Sequence, residues 1–258
     1  MNEATAGAGA VLRLIRAGHA STRSQLAAST GLSRSTLAER VHALLDLGLL
    51  QEANGASTGG RPPATLAFNP TAGLVLAACR YPTVCRAAIC TLDAEPIAEH
   101  VFAVTADAPA EELRAGLDLA LAHAGVGPER LWAVGFGVEE LPAATPLPDF
   151  GTVPVLVDRH VNLLALAEQW THWRDVDHLL YVFAGATVSC GIVSGGKVHG
   201  GARGVAGELG HITVPGYEDV PCACGNTGCL EAVVGGRALA GRLRAGGLEA
   251  SSAAEVAA

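Results

Sequence analysis

The chain has 258 residues, half of them hydrophobic, and its 25 acidic side chains against 17 basic ones give a formal net charge of −8. Such a chain can bury a sizeable core, and its length suits a small module joined to a larger domain. No apolar run is long enough to span a bilayer and no charged-then-apolar leader opens the chain, so a cytoplasmic protein without a membrane partner is expected. Seven cysteines, three of them between 222 and 229, argue for reduced thiols; Cys79, Cys85, Cys90 and Cys190 lie in strand-like apolar runs and are expected in the core.

The acidic total hides an asymmetry. Residues 1–68 carry six arginines (13, 16, 23, 34, 40 and 61) against four acids (3, 39, 46 and 52), about +2, which leaves about −10 for the rest. An acidic body repels DNA, so any contact with nucleic acid falls to the N-terminal segment.

That segment reads as a winged helix-turn-helix. Val11, Leu12, Leu14 and Ile15 form the apolar side of a first helix. Thr22 and Gln25 fit a capping box that opens a short second helix with Leu26 and Ala27 facing inward. Thr30-Gly31-Leu32 is the turn, and Ser33 caps a third helix with Leu37, Val41, Leu44 and Leu45 at helical spacing. Its other face shows Arg34, Ser35, Thr36, Glu39 and Arg40, residue types that reach base edges and phosphates in a major groove. Glu39 either accepts from a cytosine amino group or holds Arg40 in place. The alternative, a plain three-helix bundle with a solvated face, is disfavoured by a wing-like pattern directly after the third helix. Leu49–Glu52 and Ala64–Phe68 alternate like a hairpin, joined by a long loop in which Arg61, beside Pro62 and Pro63, is placed to follow a phosphate backbone or enter a minor groove. A homodimer on a two-fold symmetric double-stranded operator is the expected partner arrangement.

Beyond Asn69-Pro70 strands and helices alternate. Residues 73–79, 84–92 and 97–104 read as strands, 109–123 as a helix, 131–138 and 153–158 as strands, 160–173 as a helix, and 178–184 and 188–194 as strands.

The densest chemistry lies further on, in Gly207-Glu208-Leu209-Gly210-His211 and Cys222-Ala223-Cys224-Gly225-Asn226-Thr227-Gly228-Cys229-Leu230-Glu231. One His and three Cys at this spacing supply what a tetrahedral structural zinc site needs, with Gly225 and Gly228 letting the chain fold back. The predicted metal ligands are His211, Cys222, Cys224 and Cys229.

These two motifs resemble the zinc-containing signature of the ROK family, bacterial sugar kinases and sugar-responsive transcriptional repressors; the resemblance extends more weakly over nearly the whole chain. It implies an α/β architecture in which the winged helix-turn-helix (1–68) precedes an actin-like, RNase H-like ATPase-fold domain, its first lobe spanning 69–157 and a partial second lobe 158–258. It also implies that His211 both ligates zinc and faces a sugar, and that Glu208 and Glu231 accept hydrogen bonds from sugar hydroxyls. Gly-Gly-Arg-Pro-Pro (59–63) resembles the basic wing tip of the repressor branch.

The family's kinase chemistry is not matched. An acid and a glycine-rich turn are expected after the first strand, and this chain has Cys79-Arg80-Tyr81-Pro82-Thr83; in place of a Gly-Thr-Gly-type loop it has Gly185-Ala186-Thr187. Asp158-Arg159-His160-Val161-Asn162 aligns with the family's acid-Asn-Asp-x-Asn segment, so Arg159 replaces a sugar-binding Asn and His160 the catalytic Asp. A DNA-binding transcriptional repressor without kinase activity is therefore expected; a divergent carbohydrate kinase with an appended DNA-binding domain is the alternative. The effector site stays open between two readings. Either the ligand is a changed sugar, such as an acidic one pairing with Arg159, or sensing is lost and the glutamates only support the zinc loop. The chain also ends soon after Gly235-Gly236-Arg237, where the family normally continues, so the second lobe is expected to be incomplete, dimer-dependent or truncated.

Overall fold

The computed structural model describes residues 3–54, 64–81, 83–105, 108–139 and 146–247. Arg61 and most of the wing loop lie outside the described residues, as do Pro82 and the final segment from 248. The chain divides into two compact units, one formed by 1–76, 88–99 and 120–133 and the other by 77–87, 100–119 and 134–258.

The first unit begins with three helices, α1 (Glu3–Arg16), α2 (Arg23–Thr30) and α3 (Arg34–Asp46), followed by the antiparallel pair β1 (Leu50–Asn54) and β2 (Ala64–Phe68). Local chemistry sets the boundaries. The Thr22 hydroxyl accepts from the Gln25 amide and the Gln25 side chain accepts from the Thr22 amide, the reciprocal capping box. Gly31, at φ 68°, closes α2 in the left-handed conformation that a residue bearing Cβ rarely adopts, and Ser33 caps α3 by accepting from the Thr36 amide. Packing follows the expected faces: Val11, Leu26, Leu37, Val41 and Leu44 are buried in one core with Leu50 and Leu66 of the hairpin. Leu12, Leu14, Ala27 and Leu45 pack against it half-buried.

The following strands are β3 (Leu74–Arg80), β4 (Val84–Thr91), β5 (Pro96–Ala103), β6 (Leu131–Val138) and β7 (Val155–Arg159), with helix α4 (Ala110–Ala124) between β5 and β6. They form a sheet of order β5-β4-β3-β6-β7, β7 running parallel to β6. The helix α5 (His160–His172) then leads to β8 (His178–Ala184), β9 (Val188–Ser194) and the short β10 (Lys197–Val198), a three-stranded antiparallel sheet. This is the α/β order expected, each predicted element lying within two residues of its observed bounds. The two-residue β10 and the five-residue helix α6 (Leu230–Val234) were not anticipated; α7 (Gly236–Ala245) closes the described chain.

Helix α5 lies directly on β9. A Cβ at Gly191 would collide with the Val161 carbonyl and the Ala165 side chain, so the close approach needs glycine there. At the far end of α5, Trp170 and Trp173 are exposed, as is Trp132 on β6. Cys85 and Cys190 are core residues as expected, whereas Cys79 and Cys90 are only half-buried, because each falls on the face of its strand opposite the buried alternation of Leu74, Leu76 and Ala78 or of Cys85, Ala87 and Ile89.

Candidate functional site

Two groups of side chains carry chemistry, and each is built by its own local structure. On the helix-turn-helix, the capped start of α3 presents Arg34, Ser35 and Glu39 as exposed residues, with Thr36 half-buried. The hydroxyls of Ser35 and Thr36 each lie 2.9 Å from that of Ser33, so the cap and the first turn form one polar cluster. Arg40 is placed differently. Its guanidinium lies over Gly7 of α1, where an added Cβ would come within 2.7 Å of it, so it sits at the α1–α3 junction. Helical spacing alone groups it with Arg34 and could not show this turn of the side chain. An exposed ion pair of 3.0 Å, Arg23 to Glu52, links α2 to the hairpin.

In the other unit, the chain after β10 returns to β9. The Cys190 amide donates to the Gly207 carbonyl, and Gly207, at φ 87°, lies so close to the Cys190 carbonyl that no Cβ fits. A short turn, Leu209–His211, then presents His211. The Cys222–Asn226 turn closes through the Cys222 amide on the Asn226 carbonyl, with Gly225 and Gly228 both at positive φ as expected, and Thr213 pairs with Cys229. The ligand atoms of His211, Cys222, Cys224 and Cys229 consequently fall within 4.8 Å of one another, the one such group among the described residues.

The spacing of these donors suits a metal. Tetrahedral bonds of about 2.3 Å to sulfur and about 2.0 Å to nitrogen place neighbouring ligand atoms about 3.5–3.8 Å apart. The Cys222 Sγ to His211 Nδ1 and Cys224 Sγ to Cys229 Sγ separations are both 3.7 Å. The Asn226 amide and the Cys222 side chain, hydrogen-bonding to Cys224, push its thiol down to about 7, favouring the thiolate a metal requires. Burial and the neighbouring thiols push Cys229 up to about 12, a strain that a cation among them would relieve. These four residues fit a metal ion.

Around the cluster, the carboxylates are already engaged. Glu208 accepts from Arg159 at 2.8 Å and lies 3.8 Å from His211 Nε2, while Glu231 accepts from the Val188 amide at 3.2 Å. Arg159 is almost fully buried and also donates to the Ala206 carbonyl. It is therefore occupied within the chain; the expectation that it could pair with an acidic ligand is corrected by this buried ion pair, which no sequence signal announced. Asp158 likewise accepts from the Arg159 amide and the Asn162 side chain.

His160, the first residue of α5, is buried with its ring edge-on to Phe183 at 5.3 Å and tilted against Tyr81 at 5.7 Å. The link from β3 to β4 is closed by the Tyr81 amide on the Val84 carbonyl. In the second loop the Gly185 amide donates to the Thr187 carbonyl, and the start of α7 takes up the Gly185 and Ala186 carbonyls.

Comparison with known proteins places these features. Residues 133–257 match the family model described as ROK family. The chain is 27% identical over 254 residues to a xylose repressor of Caldicellulosiruptor bescii, covering 89% of this chain and 63% of that protein. It is 39% identical over 109 residues to a glucokinase of Halalkalibacterium halodurans, covering 42% of this chain and 33% of that protein. Among solved structures, a ROK family transcriptional regulator, a homologue of the E. coli MLC protein, aligns with a TM-score of 0.74 at 23% identity, over 94% of this chain and 67% of that one. The chain thus spans less than two thirds of the length of these curated relatives.

Proposed function

From the premise that the chain belongs to the ROK family, we propose that it is a transcriptional repressor that binds a two-fold symmetric DNA operator as a homodimer, carries one structural zinc ion, and has no kinase activity. The observation that carries this reading is the exposed, Ser33-capped start of α3 behind the Gly31 turn, a polar helix end of the kind that enters a major groove. The charge asymmetry supports it, since residues 1–68 are the basic part of an acidic chain. Arg34, Ser35, Thr36 and Glu39 read or frame each half-site, Arg40 braces α3 and adds charge at its edge, and Arg61 steadies the wing. We assign 1–68 to DNA binding, and 69–157 and 158–258 to the two lobes of the sugar-kinase-like domain.

DNA selected from a random-sequence pool should bind with a dimeric footprint. Arg34→Ala should then weaken binding by about 1–3 kcal/mol if the side chain reads a guanine, as measured by fluorescence anisotropy. Equal DNA affinity in a chain lacking residues 1–68 would remove the proposal.

His211, Cys222, Cys224 and Cys229 hold the zinc, which supplies folding energy to a loop with little apolar core of its own. Glu208, His211 and Glu231 form the effector wall for a sugar or a sugar derivative, the Arg159 ion pair fixing Glu208 in position.

For catalysis, the residue at the general-base position is an imidazole buried against Tyr81 and Phe183, and the first phosphate-side turn offers no acid and no glycine. Incubation with ATP, Mg²⁺ and a panel of hexoses should give no sugar-dependent ADP. Turnover that His160→Ala abolishes would instead establish the protein as a kinase.

A further inference from the structure

The second unit holds a cavity of about 640 Å³ to which zinc and DNA binding give no task. Tyr81, Arg86, Glu139, His160, Phe183 and Arg237 line it. Its most telling atom is on His160. The Nδ1 of that ring is 3.3 Å from the Val138 carbonyl, which can only accept, so in the neutral ring the proton sits on Nδ1 and Nε2 is an acceptor. Nε2 is buried and has no hydrogen-bond partner. An orphaned buried acceptor is costly, and a ligand hydroxyl donating to it would recover that cost.

The charges in the wall narrow the ligand further. Arg237 is paired with Glu139 at 3.2 Å, whereas Arg86 is exposed and has no carboxylate partner among the described residues. Two guanidinium groups against one carboxylate leave one positive charge in excess, which suits a monoanion better than a dianion. Burial raises the Tyr81 phenol above its ordinary value, so it stays a neutral donor. The Tyr81 and Phe183 rings flank the imidazole and offer apolar faces for a carbon skeleton.

We propose that this cavity binds a small hydroxylated monocarboxylate of the sugar-acid class, with its carboxylate on Arg86 and Arg237, a hydroxyl donating to His160 Nε2, and its skeleton against Tyr81 and Phe183. The hydroxylated skeleton rests on the effector reading; the anion preference rests on the arginines alone.

The test is calorimetric titration of the full zinc-loaded chain with gluconate, glucuronate, glucose 6-phosphate and glucose, with DNA binding measured on the same preparation. One of the two carboxylates should bind at least about tenfold more tightly than glucose or glucose 6-phosphate. Arg86→Gln, a change at an exposed position, should weaken that binding about tenfold while leaving the melting temperature and the DNA affinity unchanged. His160→Leu should weaken it too, with folding checked by circular dichroism. No heat from either acid at about 10 mM, a preference for the dianion or the neutral sugar, or carboxylate binding indifferent to Arg86→Gln would each overturn the assignment. Intact DNA binding in the same samples would then leave the repressor reading standing.

Discussion

Replacing Cys229 by Ser should abolish stoichiometric zinc and unfold the segment from His211 to Val234. Cys229 is buried, pairs with Thr213 and immediately precedes α6, so its thiolate ties three pieces of chain to one point. The apparent binding energy of a structural zinc is about 10–16 kcal/mol, far more than a short, glycine-rich loop gains from apolar packing. Cys224→Ser separates metal loss from a packing defect, because Cys224 is exposed and its replacement leaves no cavity. Both variants should lose the ion in elemental analysis and become sensitive to protease near residue 220. Acidification should have a milder effect of the same sign. Protons compete with the ion for its ligands, so metal capture weakens as the pH falls, although the lowered Cys224 thiol gives up its proton more readily than an ordinary cysteine. Wild-type protein free of zinc after reducing, chelator-free purification would end this reading.

Leu26→Ala should separate DNA binding from everything else. The side chain is fully buried at the centre of the three helices, and truncating it leaves a cavity that costs about 2–5 kcal/mol. A module this small has little stability to spare. The expected result is an early melting transition by circular dichroism and loss of DNA affinity, with zinc content unchanged. A Leu26→Ala protein that melted and bound DNA like the wild type would show that the helix-turn-helix core is not what positions α3.

Most of the fold was legible because its signals are local. Thr22 with Gln25, Gly31 and Ser33 specify helix ends within four residues of themselves, and the apolar run of β8 reads as a strand without knowledge of its partners. The zinc ligands were legible for a related reason, since three of the four lie within eight residues and their glycines fix the turn. What escaped was long-range side-chain placement. Arg159 and Glu208 are 49 positions apart, and only the return of the chain to β9 brings them together. Arg40 could not be told from Arg34 by helical periodicity, because the space above Gly7 that receives it belongs to another helix. His160 read as a lost catalytic acid; that its ring is packed between Tyr81 and Phe183, with one nitrogen satisfied and one not, depends on β3 and β8 converging there.

The tryptophans carry a spectroscopic consequence. All three, Trp132, Trp170 and Trp173, are 40%, 55% and 52% exposed, although indoles are usually far more buried. Their emission is therefore water-like in the native state, and denaturation will shift its maximum little, so a fluorescence melt would report a transition much smaller than the one that takes place. The same exposure makes them sensitive in the opposite direction: with two of the three near one end of α5, a blue shift in the folded protein signals that a surface has come to rest against that helix.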